Sequence, residues 1–268
     1  MVLSRTAVVG SRVAVVLAWS CALGYVLSQI LYSKTEPGGR VPLTVLTVLF
    51  FAAASVVDAA VRGGPRAAVG LLVFAGGGGL LAEVVGVHTG LPFGEYAYSG
   101  DLGWSVLGVP AVVPLAWVMM AWPALLVGRA LGVGRWAVVV GAWALASWDV
   151  FLDPQMVDAG YWSWSDPEPA LPGVSGVPVS NFAGWLVVAV VIVACLHAWV
   201  PRDRGDPSDV AAGPAPALYV WTYVSSVWAH AAFFDRPWVS LVGGLLMGLV
   251  ALPYAWVVVR SARARWGR

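Results

Sequence analysis

Long apolar stretches alternate with short polar ones along the whole chain. Eight apolar runs approach or exceed the roughly 20 residues that a helix needs to cross about 30 Å of hydrocarbon. They fall at about 7 to 31, 41 to 61, 67 to 87, 105 to 127, 134 to 152, 180 to 200, 215 to 234 and 238 to 259. None alternates apolar and polar at every second position, as barrel strands would. The pattern therefore predicts an all-α, polytopic membrane bundle of about eight transmembrane helices, read as a single transmembrane domain over residues 1–268. Pro110, Pro114, Pro123 and Pro253 fall inside predicted spans, where neighbouring helices can satisfy the backbone groups they free.

Composition agrees: 60% of the residues are hydrophobic and 11% are charged, too few polar groups to cover a soluble domain. The formal net charge of +1 offers no basic face, and no nucleic-acid partner is expected. Arg5 and Arg12 precede the first run in the manner of a signal peptide, but the run is long and no small-residue cleavage site clearly follows, so it reads as a retained helix. With the C-terminus and its Arg260, Arg263, Arg265 and Arg268 cytoplasmic, eight spans place Arg5, Arg62, Arg66, Arg129, Arg135, Arg202 and Arg204 on the same side. Lys34, Arg40 and Arg236 fall opposite, so the positive-inside rule favours both termini inside the cell membrane.

The polar connections differ in kind. Residues 201–216 (PRDRGDPSDVAAGPAP) are charged and then Pro/Ala-rich, and read as a cytoplasmic linker. Residues 88–104 (HTGLPFGEYAYSGDLGW) and 153–179 fall on the outer side and hold Glu95, Asp101, Asp153, Asp158, Asp166 and Glu168 without a Lys or Arg. Asp149 and Asp153, four residues apart, would share one helix face; Pro154 is expected to end the helix there, leaving Asp149 in the membrane and Asp153 at its rim. Glu83 is a further embedded acid with no basic partner in its span, and intramembrane acids default to function because they are costly. Asp58 differs: Arg62 follows at the spacing of a helical ion pair, which makes Asp58 structural.

Other residues read more plainly. His88, His197 and His230 are scattered, which suits packing better than a metal site, and none is expected. Cys21 and Cys195 lie in apolar spans as free thiols. GGGG at 76–79 suits close helix packing or a soft point, since no phosphate-loop continuation follows. Tyr96, Tyr98, Trp104, Trp148, Tyr161, Trp162 and Trp164 gather at the outer boundary, as a headgroup-level belt or, for some of them, as ring faces for a cationic species. Asn181 either caps the sixth span with Ser180 or hydrogen-bonds a site carboxylate.

A carboxylic acid held in low dielectric without a basic neighbour keeps its proton near neutral pH, as a proton donor requires. With aromatic faces, water at the boundary and an apolar interior, the combination suits acid-catalysed addition of water to an isoprenoid double bond.

The stretches HTGLPFGEYAYS, WDVFLDPQMVDAGYWSW and PVSNFAGW resemble the membrane carotenoid 1′,2′-hydratases of the CruF type, a carotenoid-biosynthesis family that includes the bisanhydrobacterioruberin hydratases. The resemblance is clearest over about 80 to 187. It implies an acyclic ψ-type carotenoid substrate taken from the bilayer, water as co-substrate, no organic cofactor, and other membrane enzymes of carotenoid synthesis as candidate partners. Carried onto this chain, it implies catalysis by Glu83, Asp149 and Asp153, one protonating the alkene and another handling the water. Glu95, Tyr96, Trp104, Trp148, Asn181 and His88 are the substrate-binding candidates. Two other classes compete. A UbiA-type prenyltransferase would need a second Asp-rich motif and basic residues for a diphosphate, which this face lacks; a proton-coupled transporter or lipid-binding scaffold would use the same acids without forming product.

Overall fold

Short connections between long apolar helices force neighbours to run antiparallel, and the computed structural model follows that rule through residues 5–201 and 205–266, the residues it describes. The helices are α1 (Arg5–Lys34), α2 (Val41–Gly63), α3 (Pro65–Leu71), α4 (Gly78–Thr89), α5 (Val113–Leu131), α6 (Trp136–Asp158), α7 (Val179–Trp199), α8 (Ala215–Ala232) and α9 (Pro237–Trp266). A π-helical stretch, Leu72–Gly77, joins α3 and α4 into one rod, so eight rods stand among the described residues. Seven are long and apolar enough to cross a membrane. The remaining rod, α8, carries Thr222 and His230, both of which are buried within the bundle.

The chain is thus an all-α polytopic membrane bundle, with α5 and α6 the most enclosed helices. These two cross closely: a Cβ on Gly128 would meet the Ala137 carbonyl oxygen at 2.1 Å and Gly141 N at 2.9 Å, the approach that small residues permit between membrane helices. Buried side chains from all the spans merge into one continuous cluster.

Two boundaries depart from the sequence pattern. The fourth span begins at Val113, eight residues later than its apolar run, because β2 (Ser105–Val106) turns back on β3 (Val109–Pro110). Leu107 and Gly108 between them have φ of 52° and 86°, and two successive positive φ values make the tight hairpin turn. Pro110 belongs to that hairpin, outside the helix. The fifth span does not stop before Pro154 but continues through it to Asp158. One missing N–H is tolerable in a helix that neighbours hold on several sides. Asp153 is consequently buried with Asp149, and does not sit at the rim.

One end of the bundle collects the connections 35–40, 90–112, 159–178 and 233–236. There β1 (Tyr96–Tyr98) pairs antiparallel with β4 (Trp162–Trp164), and β5 (Ala170–Leu171) with β6 (Val174–Pro178). Together these form a roof over the helix ends. The opposite end holds Arg62, Arg66, Arg129, Arg135, Arg260, Arg263 and Arg265. Arg202, Arg204 and Arg268, also counted for orientation, lie outside the described residues, as does the side chain of Arg5. The described part of 201–216 is tied down, since Asp209 pairs with Arg265 and Asp206 accepts hydrogen bonds from Ser208 and Ser261. Cys21 and Cys195 are free thiols.

Asp58 knots that second end. Its carboxylate accepts Arg62 Nε at 2.6 Å, Trp122 Nε1 at 2.9 Å and the Ala215 amide at 3.1 Å, joining α2, α5 and the start of α8. The pair is almost fully buried, with 8% of the Arg62 side chain and none of the Asp58 side chain exposed. Asp58→Ala would strand a buried guanidinium, and should destabilise the bundle by about 3–5 kcal/mol. The temperature at which the detergent-solubilised protein aggregates should fall accordingly, and fall less for Asp58→Asn, which keeps one acceptor oxygen. An unchanged Asp58→Ala protein would show that the knot contributes nothing.

Candidate active site

An acid buried among hydrocarbon needs donors for its oxygens, and the roof end supplies them to three. Glu83 (4% exposed) and Asp153 (3% exposed) lie about one and a half turns in from the ends of α4 and α6. Glu83 Oε1 accepts Trp117 Nε1 at 3.1 Å, and Oε2 accepts the hydroxyls of Tyr96 at 2.5 Å and Tyr98 at 2.9 Å. All three donors are uncharged.

Strand alternation explains why both tyrosines arrive together. Tyr96 and Tyr98 are two residues apart on β1 and share its inner face, while Glu95 and Ala97 point away. Across the ladder Tyr96 opposes Trp164 and Tyr98 opposes Trp162, which puts two tryptophans on that same face. Trp164 Nε1 donates to the Phe93 carbonyl at 2.9 Å, pinning the ladder to the turn after α4, and Trp162 Nε1 donates to Asp153 Oδ1 at 3.1 Å. Burial first, and the Glu83 carboxyl second, push the hydroxyls of Tyr96 and Tyr98 far above the ordinary phenol range. They remain donors at any physiological pH.

The second acid group is a dyad. Asp149 and Asp153 share one face of α6, and the Asn181 side-chain amide at the start of α7 donates to both, to Asp149 Oδ2 at 2.8 Å and through a short bond to Asp153 Oδ2. Asn181 thus clamps two carboxyls and does not cap its helix. Asp149 Oδ1 receives no N–H or hydroxyl donor, so the Asn181 amide is the hydrogen-bond donor the two carboxyls have in common.

A cavity of about 430 Å³ opens against these groups, within the usual range for ligand sites. Glu83, Asp153 and Asn181 face it, as do Tyr96, Tyr98, Trp148, Trp162 and Trp164; Asp149 sits one layer behind, fully buried. Trp185 joins the wall, stacked on Trp117 with ring centroids 3.9 Å apart and with Trp148 edge-on at 6.2 Å. Away from the acids the cavity is lined by Thr44, Thr47 and Val48 of α2, by Tyr25 and Gln29 of α1 and by Trp221 of α8. There Ile30, Val224 and Trp228 line it while remaining 47%, 54% and 64% exposed on the side of the bundle.

Of the nine residues singled out in the sequence, six gather here: Glu83, Asp149, Asp153, Tyr96, Trp148 and Asn181. Three do not. Trp104 is 77% exposed beyond the β2–β3 hairpin, where it suits the headgroup belt. His88 is exposed, with Nδ1 bonded to the carbonyl of its own helix at Val84, 2.8 Å away. Glu95 lies on the outer side of the roof because strand alternation turns it away from its tyrosine neighbours. Sequence reading missed Trp117 and Trp185, which sit inside apolar spans with nothing local to distinguish them from packing. One signal was available: Gly79, Glu83 and Gly86 recur at helical spacing, marking the face that something large approaches.

The chain is similar to known proteins. A bisanhydrobacterioruberin hydratase from Haloarcula japonica is 35% identical over 117 residues, covering 41% of this chain and 38% of that relative, so the match spans well under half of either protein. No solved structure matches. The carotenoid biosynthesis protein family matches across residues 43–251, from α2 to α9 and through every group of the cavity's acid end, and the chain belongs to that family.

Proposed function

We propose that the protein hydrates an acyclic, ψ-type carotenoid end group, adding water across its terminal 1′,2′ double bond to give a tertiary alcohol. One observation carries this reading: Asp153, backed by Asp149, and Glu83 face a single, mostly apolar cavity that reaches the side of the bundle. A hydrocarbon chain could enter from the bilayer between α1 and α8 and present its end to the acids. The name of the Haloarcula japonica relative points to the same class of reaction.

The roles follow from what each acid touches. Asp153, at the cavity wall, is the proton donor, and its proton adds to C2′ as the alkene π pair forms the new C–H bond. The tertiary cation at C1′ then faces the rings of Trp148 and Trp185, whose π electrons stabilise it. A water molecule attacks C1′, and the proton it sheds passes to Glu83, which accepts hydrogen bonds from three neutral donors. The sum is addition of H₂O with no change of oxidation state; proton exchange with water returns Asp153 and Glu83 to their starting forms.

Orientation is part of the proposal. The basic residues at the end opposite the roof favour a cytoplasmic position for that end, with both termini inside and the cavity's acid end towards the outer leaflet. A cysteine placed at Trp104 should then react with a membrane-impermeant thiol reagent on intact cells, while one at Arg135 should react only after permeabilisation. The opposite labelling pattern would invert the topology.

Expression in a lycopene-producing host should give pigments heavier by one or two waters, carrying heavy oxygen when grown in heavy-oxygen water. Asp153→Asn and Glu83→Gln should each reduce conversion by about 100-fold or more, the scale of general acid–base catalysis. Unaltered pigment from the wild-type chain, at normal membrane expression, would refute the hydratase reading. Full activity in Asp153→Asn would remove Asp153 from the role of proton donor.

A further inference from the structure

Glu83 is flanked on its own helix face by two glycines, and each occupies the place where one of its hydrogen-bond donors arrives. Gly79, Glu83 and Gly86 are spaced i, i+4 and i+7 along α4, and all three are buried. A Cβ on Gly79 would lie 2.5 Å from Trp117 Cγ and 2.6 Å from its Cδ1. A Cβ on Gly86 would lie 2.8 Å from Tyr96 Oη and 2.8 Å from Phe93 Cδ2. Carbon atoms in contact prefer about 3.5–4.0 Å, so neither site has room for alanine while its neighbour stays in place.

Those neighbours, Trp117 and Tyr96, are the side chains that reach Glu83 Oε1 and Oε2. Glycine weakens a helix interior relative to alanine, and ordinary helical geometry calls for it at neither position. The π-helical stretch Leu72–Gly77 ends at the start of α4. A wider turn of this kind carries an extra residue, which rotates everything after it by roughly 100°. It therefore helps to set which side of the rod presents Gly79, Glu83 and Gly86 to the cavity. Trp117 is held from its other face by the stack with Trp185.

We propose that Gly79 and Gly86 are positioning residues for Glu83: by admitting Trp117 and Tyr96 they fix both carboxyl oxygens and hold the acid at the cavity wall. The catalytic consequence rests on the hydration reading above, in which Glu83 takes the proton from water. The geometric claim does not, because the donors either reach Glu83 or fail to.

Two readouts separate the claims. In ultraviolet resonance Raman spectra of the full-length protein in detergent, subtracting the Trp117→Phe spectrum isolates the Trp117 indole N–H. Gly79→Ala should shift that signal towards a weaker hydrogen bond, as Glu83→Leu should by removing the acceptor. In the hydration assay Gly79→Ala and Gly86→Ala should each lower kcat by about 10- to 100-fold with KM nearly unchanged, the factor expected for a lost hydrogen bond to a charged group. Adding Gly79→Ala to Trp117→Phe should cost less than about twofold more, since the N–H is already gone. An unshifted indole signal in Gly79→Ala would overturn the proposal, as would full multiplication of the two losses in the double variant. If Gly79→Ala does not accumulate, Trp117→Phe and Gly86→Ala decide: wild-type kcat in both would overturn it. Should no carotenoid be hydrated by the wild-type chain, the function falls while the Raman comparison still decides the geometry.

Discussion

Three carboxyl groups buried in a membrane bundle with no cation beside them must be satisfied by uncharged donors, and much of the roof end follows from that requirement. Leaving a buried polar group unpaired costs more than making its hydrogen bond gains. Glu83 therefore draws in two tyrosine hydroxyls and an indole N–H, and the Asp149–Asp153 pair draws in one amide and one indole N–H. To deliver the tyrosines and Trp162, the chain leaves the helices and pairs β1 with β4 above the cavity. To deliver Trp117, it gives up a side chain at Gly79. A Lys or Arg would have met the same need more simply, but would have fixed the acids as a salt bridge.

The other end of the bundle shows that simpler solution. Asp58 is as deeply buried as Asp149, yet Arg62 lies 2.6 Å away and the result is a knot tying α2, α5 and α8. The same residue type thus stands in two different settings according to its partner. Beside a guanidinium a carboxylate is held in an ion pair. Beside an amide, a phenol or an indole it can hold or release a proton, which acid–base chemistry requires. Arg40 and Arg236 stand at the roof end as well, but the ion pair formed there, Arg236 with Asp158, does not include Glu83, Asp149 or Asp153.

Much of this was legible in the sequence, and the failures share a cause. Apolar runs located the helices because hydropathy reports directly on what can face lipid. The acids stood out for a related reason: Glu83 and Asp149 are conspicuous within apolar spans. Pro154 misled because the rule that proline ends helices describes an isolated helix, whereas α6 is enclosed by neighbours on most sides. The run at 105–127 misled because hydropathy cannot distinguish the end of a membrane helix from an apolar hairpin resting on it. Trp104 and Trp164 look alike as tryptophans near the boundary, yet one is exposed and the other is part of the cavity roof. Only strand register, which depends on a partner more than sixty residues away, tells them apart.

The acyclic carotenoid end group proposed as substrate offers no charge and no hydrogen-bonding atom, so its recognition would not resemble that of a polar metabolite. Shape and the depth to which an apolar chain can slide must decide which double bond meets the acid. The arrangement here suits such a ligand, because Asp153 and Glu83 lie at the roof end of the cavity while the exposed apolar residues Ile30, Val224 and Trp228 mark its lipid-facing side. The middle is not wholly apolar: Gln29 accepts a hydrogen bond from Trp221 at 2.7 Å, and Tyr25 bonds Thr222 at 2.8 Å. These groups bond one another and hold α1 to α8, so they join the two helices between which the hydrocarbon would pass. Polar groups that satisfy each other leave an apolar chain little to disrupt, whereas the carboxyls of Glu83 and Asp153 face the cavity itself.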